Sequence, residues 1–366
     1  MAELIGEREE ELRRLPRNRD ATFNDAADAW LLYVEHEKRV KPSTLRDHRM
    51  MLAEPVSGRE NGPRARIRRT FRDSLLGDIR PADIARFLSA LDRSGVSART
   101  VNKYRQILRS VFEYARRDDG FGLVENPVDA TEKRREAAPA PIDTFELEEI
   151  AAIARAAQDG LHRDRQEANS SEGTEAEWQR INDQDAALFT IAAFTGLRLG
   201  ELVALRWGDV DFGAARLTIA RTMSAGELAA STKSGRIRIV PLSDQVAAEL
   251  APLSQRELFT TRDDFVFCRA DGGPLDRTAV RKRFARAQKQ AGVRVRRFHD
   301  LRHTFGSLAV RSFDPVAVQA MMGHSRLTTT ERYLHTKPRT DDAARLSAAF
   351  DASQPESARM PARIRP

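Results

Sequence analysis

The feature that most limits how this chain can fold is a stretch with no apolar pattern, "VDATEKRREAAPAPID" at residues 128–143. Proline and charge without hydrophobic spacing read as a linker. The two sides of it differ in period. Before it only helical spacing occurs, and after it helical stretches alternate with short strand-like runs. With 366 residues, 41% of them hydrophobic in type, there is enough material for a core on each side. The expected plan is an extension at 1–20, a helical domain at 21–127 and the linker at 128–143. A second domain follows at 144–350, with a C-terminal helix, and then a disordered tail at 351–366.

In the first domain Trp30, Leu31, Val34 and Val40 line one helix face. Pro81 suits an early helical position and is followed by Ile84, Phe87, Leu88 and Leu91 at helical spacing. A third stripe runs through Val101, Tyr104, Leu108, Val111, Phe112 and Ala115, with Lys103, Arg105 and Arg109 on or beside other faces. Between the first two helices five arginines fall within residues 64–72, either as a solvated loop or as a phosphate-contacting one.

The second domain is mixed and mostly helical, with a small sheet. Thr144 is placed to cap its first helix, and residues 160–183 read as a polar surface insertion. "DAALFTIAAFTGLRLGELVALRWGDVDF" gives two helical pieces broken at Gly196. "ARLTIAR" and "GRIRIVPL" are strands, and "STKSG" places Lys233 in a tight connection between them. Asp276 and Pro315 mark helix starts, and Thr328 with Glu331 forms a T-x-x-E capping box that puts Tyr333 in the second turn of the last helix.

The formal charge of +7, from 61 basic and 54 acidic side chains, permits a polyanionic partner without proving one. The lone Cys268 excludes a disulfide framework and a Cys-built metal site. The charged N-terminus is no secretory signal, and no apolar run approaches 18 residues, so a cytoplasmic, non-membrane protein is expected.

Arg198 lies in an otherwise apolar helical region and needs a partner: Glu201, three residues on, or an anionic ligand. His299, Arg302 and His303 in "HDLRH" share a helix face. The i,i+4 histidines have zinc-site spacing, but Arg302 beside them would repel a cation. His303 reads as a hydrogen-bonded structural residue, and His324 opens the connection after a helix ending at Gly323. Neither a Walker motif nor a G-x-G-x-x-G loop after a strand is present, so no nucleotide site and no cofactor are expected. Two arginines, a lysine and two histidines suit a pentavalent phosphorane without a metal, with tyrosine as nucleophile and a hairpin lysine as general acid.

At this point the chain resembles the tyrosine recombinase (lambda-integrase, Xer-like) family. The stretches "TGLRLGELVALRW", "TKSGRIRIVPL", "HDLRHTFGS" and "MMGHSRLTTTERYLHT" occur in the family's order, and "SARTVNKYRQILRSVFEYA" resembles its core-site-binding domain. The resemblance implies a mainly α fold with a small β-sheet: an all-helical, SAM-like core-binding domain followed by a mixed α+β catalytic domain. Arg198, Lys233, His299, Arg302, His324 and Tyr333 match the catalytic positions, and Glu201 and His303 the supporting ones. Met322 stands where leucine is frequent in the family. Arg64, Arg66, Arg68, Arg69, Lys103, Arg105 and Arg109 are the expected DNA contacts.

The implied partner is a double-stranded DNA attachment or recombination site, held by a homo-tetramer on two duplexes. A free monomer and accessory DNA-bending or directionality proteins are compatible with this. Ala343, Leu346 and Phe350 carry the helical spacing of a C-terminal helix that in relatives packs on a neighbouring protomer. A charge-rich stretch of about 20 residues precedes Thr22, which is short for the arm-site domain of lambda-type enzymes and suits a Xer-type resolvase or simple mobile-element integrase. A regulator that lost its chemistry on the same fold and a type IB topoisomerase-like enzyme are the alternatives.

Overall fold

The computed structural model describes residues 20–55, 65–117, 121–138, 140–163, 175–224, 226–229 and 237–334. The chain divides into two compact units, 1–140 and 141–366.

The α-helices of the first unit, among its described residues, are α1 (Phe23–His36), α2 (Pro42–Met51), α3 (Arg66–Phe71), α4 (Pro81–Arg93) and α5 (Ala98–Ala115). Thr22 and Asp25 form a reciprocal capping box on α1, at 3.3 and 2.8 Å. Pro81 takes the first position of α4, where its missing N–H costs nothing, and Ser97 caps α5. The core is aromatic: Phe23 lies 5.8 Å from Phe71 and 5.7 Å from Phe112, and Phe71 meets Phe87 edge-on at 5.4 Å.

Two expectations change here. Arg68 and Arg105 are not surface cations. Arg68 is 3% exposed; it donates to the Leu52 carbonyl at 2.6 Å and to Glu54 at 2.7 Å, and also holds Asn24 and Asp28. It therefore cross-braces α1, α3 and the end of α2. Arg105 donates to the Val128 carbonyl and to Thr131, at 2.7–3.1 Å. Residues 128–134 consequently belong to the first unit and not to a linker: Val128 is fully buried, and Asn102 exchanges hydrogen bonds with the Arg134 backbone at 2.8 and 2.9 Å. Lys103 and Arg69 are exposed, Arg66 is half-buried, and Arg109 pairs with Asp129 at 2.7 Å. Arg64 lies outside the described residues, as do the extension 1–19 and everything after Leu334, including the expected C-terminal helix and tail.

The second unit is organised around α7 (Glu175–Thr195), which follows α6 (Leu147–Gln158). Residues 186–193 of α7 are buried on every side, the mark of a central helix. The expected surface insertion is therefore shorter than its sequence suggested, because α7 begins at Glu175 and Asn182 is buried. Glu146, not Thr144, precedes α6, its N–H bonded to Glu149 at 2.9 Å. After the single turn α8 (Leu199–Leu202), strands β1 (Val210–Asp211), β2 (Arg216–Ile219) and β5 (Arg238–Pro241) form an antiparallel sheet in the order β1–β2–β5. Strands β3 (Thr222–Ser224) and β4 (Glu227–Ala229) form a separate hairpin between β2 and β5. Lys233 therefore does not sit in a tight β2–β5 turn; it falls between β4 and β5, outside the described residues.

Helices α9 (Asp244–Ser254), α10 (Arg277–Gln290) and α11 (His299–Ala309) complete the core, with Asp276 capping α10 through the Ala279 N–H at 2.7 Å. The unit then continues through α12 (Pro315–Met322) and α13 (Thr328–Glu331). No helix among the described residues is long and apolar enough to cross a membrane.

Replacing Arg68 by Met should leave the Leu52 carbonyl and the Asn24 side chain without their donor and cost about 1–3 kcal/mol in urea unfolding. A surface arginine would change stability by less than about 0.5 kcal/mol.

Candidate active site

The site begins where α7 stops. Gly196 has φ +63°, and a Cβ there would come within 2.3 Å of the Phe305 ring, so only glycine lets the chain turn. The turn puts Arg198 at the N-cap of α8. Its backbone N–H reaches Glu201 Oε2 at 2.9 Å, and its Nη1 reaches Oε1 at 3.0 Å. Glu201 is 2% exposed and also receives both terminal nitrogens of Arg238, at 3.0 and 2.6 Å.

Helix α11 supplies the next group. Arg302, buried, donates to the carbonyls of Gly196 and Met322. The rings of His299 and His303 meet edge-on at 4.9 Å. Asp300 turns away, its carboxylate bonded to the Arg297 backbone and guanidinium.

The third contribution is the end of α12. Gly323, φ +63°, ends the helix in the left-handed conformation. The three successive carbonyls at this corner each accept from a different arginine: Met321 from Arg238, Met322 from Arg302 and Gly323 from Arg198. His324 follows, and its Nδ1 lies 2.9 Å from Thr330 Oγ1. The expected Thr328–Glu331 capping box is absent: Leu327 holds the N-cap position and no side chain caps the turn. The threonine that matters is the fully buried Thr330. Tyr333 comes just after this single turn, its N–H on the Thr330 carbonyl at 2.9 Å.

Tyr333 is 3% exposed and packs in a small apolar cluster with Ala309, Val318 and Met322. Its ring lies nearly parallel to His324, with 6.2 Å between centroids, and its hydroxyl is 2.9 Å from His303 Nδ1. Gly306 makes room for it, since a Cβ there would approach the Tyr333 ring to 2.7 Å.

The electrostatics follow from burial beside fixed cations. Desolvation, then His303, Arg302 and Arg198, hold His299 at about 4, although the residue as a whole is exposed. Desolvation and the same two arginines hold His324 at about 3. His303 is lowered as well, chiefly by burial. All three imidazoles are thus neutral at physiological pH. Burial lowers Arg302 to about 9, which leaves it charged. Burial raises the Tyr333 phenol, with Arg302, Arg332 and Arg198 opposing. Burial also pushes the Glu201 carboxyl up, but Arg238 and Arg198 together outweigh it and hold the group ionised.

Of the residues singled out in sequence, Arg198, Glu201, His299, Arg302, His303, His324 and Tyr333 are brought together, and Lys233 lies outside the described residues. His303 is hydrogen-bonded, and its partner is the tyrosine hydroxyl. Arg238 and Thr330 were missed. The signal for Arg238 was an arginine between two isoleucines on a strand.

Residues 171–339 match the phage integrase family, and residues 65–119 match the phage integrase N-terminal SAM-like domain. Tyrosine recombinase XerC of Methylobacterium sp. (strain 4-46) is 29% identical over 351 residues, covering 93% of this chain and 96% of the relative. Tyrosine recombinase XerC of Xanthomonas axonopodis pv. citri (strain 306) is 26% identical over 344 residues, covering 92% and 99%. Among solved structures, a lambda integrase dimer bound to a COC′ core site superposes with a TM-score of 0.63 at 19% identity, covering 87% of this chain and 80% of that one. The Tn1549 transposon integrase in complex with a circular intermediate DNA gives 0.63 at 19%, covering 88% and 99%. Both share this chain's fold. The chain belongs to the phage integrase family of tyrosine recombinases, the enzymes of DNA recombination and integration.

The depressed histidines set a pH dependence. Unfolded, each takes a proton near 6.5; folded, His299 and His324 resist it to about 4 and 3. The unfolded state then binds more protons, so stability falls as pH drops from 6.5 toward 4. The urea midpoint should decline across that window, and His324→Gln should flatten the decline.

Proposed function

We propose that this protein is a site-specific tyrosine recombinase that cuts and rejoins duplex DNA through a 3′-phosphotyrosyl intermediate and a Holliday junction, using neither metal nor ATP. The observation that carries the reading is the Tyr333 hydroxyl, 2.9 Å from a neutral His303 and within the same cluster as Arg198 and Arg302.

The phenol is protonated until it reacts. With Nε2 carrying the ring proton of His303, Nδ1 accepts the phenolic hydrogen bond and then the proton. The Tyr333 oxygen bonds to phosphorus, the P–O5′ bond breaks, and the 5′-oxygen leaves with a proton donated by Lys233. Arg198 and Arg302 stabilise the charge that builds on the non-bridging oxygens, and His299 and His324 add neutral N–H donors. Each guanidinium is held by backbone carbonyls through Nη1 or Nη2, which fixes its plane before DNA arrives and lowers the reorganisation needed in the transition state. The 5′-hydroxyl of a partner strand reverses the step. The phosphotyrosine conserves the ester bond, so no nucleotide hydrolysis is required.

Lambda integrase forms a tetramer on a Holliday junction. By that likeness the working unit is a homo-tetramer on two duplex recombination sites, open to accessory DNA-bending or directionality proteins. Lys103, Arg66, Arg69 and Arg109 are the described first-unit cations proposed to meet DNA phosphates.

The test uses a nicked suicide duplex, selected from a randomised pool by covalent capture on the unaltered protein. A denaturing gel should show a protein–DNA adduct that is absent in Tyr333→Phe, whose duplex affinity stays within about threefold because backbone contacts dominate it. Tight, specific binding with no adduct from the unaltered protein would favour a binding-only regulator. Gly306→Ala should slow adduct formation by about 10²-fold, because the new methyl displaces the Tyr333 ring by the order of an ångström.

A further inference from the structure

On β5 inward and outward positions alternate, and Arg238 shares the inward face with Val240. Ile237, just before the strand, and Ile239 are 69% and 55% exposed, while Arg238 is 8% exposed. An arginine facing inward carries a desolvation cost that only a fully engaged fork offsets. This one is engaged: Nη1 and Nη2 grip the two oxygens of Glu201, and Nε donates to the Met321 carbonyl at 2.8 Å. Its Cδ lies where a Cβ on Gly323 would come within 3.1 Å, so the side chain packs directly under the left-handed turn that delivers His324.

Glu201 is needed to orient Arg198, but it carries a charge of its own. A closed Arg198–Glu201 pair would be neutral and would offer little field to a phosphate. With Arg238 on the same carboxylate, two guanidiniums share one anion and the triad keeps a net charge of +1. Arg238 itself is too enclosed, and too fully bonded, to be the group that meets substrate.

We infer that Arg238 is a positioning residue of the recombination site: it neutralises Glu201 so that Arg198 keeps its charge for the scissile phosphate, and it pins the Met321 carbonyl so that His324 leaves a fixed corner. This rests on the recombinase reading given above. Arg238 acts through Glu201 and the turn, and no bond to DNA is assigned to it.

The experiment measures the rate of adduct formation at saturating protein on the selected nicked duplex, alongside equilibrium duplex binding and the circular dichroism melt. Arg238→Met should cleave about 10²-fold more slowly, with duplex affinity within about threefold of the unaltered protein. Adding Glu201→Gln to Arg238→Met removes the anion that Arg238 offsets, and should restore the rate by about tenfold over Arg238→Met alone. A general packing defect would not be relieved by that second change. Arg238→Lys keeps the charge and loses the fork, so it should fall between the two, about tenfold below the unaltered protein.

Arg238→Met cleaving within about threefold of the unaltered rate would overturn the proposal, and so would a double variant no faster than the single one. Should Arg238→Met not fold, Arg238→Lys decides, and an unaltered rate there overturns it. No adduct with the unaltered protein would overturn the recombinase reading and with it this inference, whereas an adduct that Arg238→Met leaves unslowed overturns this inference alone.

Discussion

The active site depends on one buried carboxylate. Glu201 binds two guanidiniums, Arg198 and Arg238, and these, with Arg302, hold the carbonyls of Met321, Met322 and Gly323. Those bonds join three parts of the chain that are distant in sequence: the turn after α7, strand β5 and the end of α12. A hydrogen bond to a charged group contributes about 1.5–3 kcal/mol in a buried setting. The arrangement therefore resists deformation where the chemistry needs rigidity. It also explains how three guanidiniums can coexist: backbone carbonyls accept the hydrogen bonds that the single carboxylate does not, so the cluster keeps a net positive charge.

Much of this was legible in the sequence. Helical period and the Pro and charge signals placed α1, α4 and α5, the Gly196 break and the Asp276 and Pro315 helix starts, because each depends on local chemistry that spacing records. The side chains that converge around Tyr333 were also readable, through the resemblance of four motifs in order. What failed was non-local. Arg68 and Arg105 read as surface cations on charge alone, and only the tertiary fold brings Asp28, Asn24 and Glu54, or the 128–131 segment, to their donors. The linker was drawn too early for the same reason: a polar stretch can be ordered by two side chains of a neighbouring helix. The T-x-x-E pattern misled because the turn starts one residue earlier: Leu327 holds the N-cap position with helical backbone angles, so Thr328 lies inside the turn and cannot cap it.

Arg238 shows the converse. Strand alternation offers two inward faces here, Ile237 with Ile239 or Arg238 with Val240 and Leu242, and the structure takes the second. That choice brings an arginine inward, where it needs a partner. Glu201 meets the need by taking both of its terminal nitrogens.

The bond between His324 and Thr330 has a further consequence. Tyr333 hangs from the Thr330 carbonyl, and Thr330 holds the imidazole of His324, so the proposed nucleophile and a proposed charge-stabilising donor share one short tether. A displacement of Thr330 would therefore act on both side chains. In the proposed recombinase such a site would be lost as a unit, leaving no phosphodiester activated for water while the tyrosine is away. The shared tether would then act as a safety catch on strand cleavage.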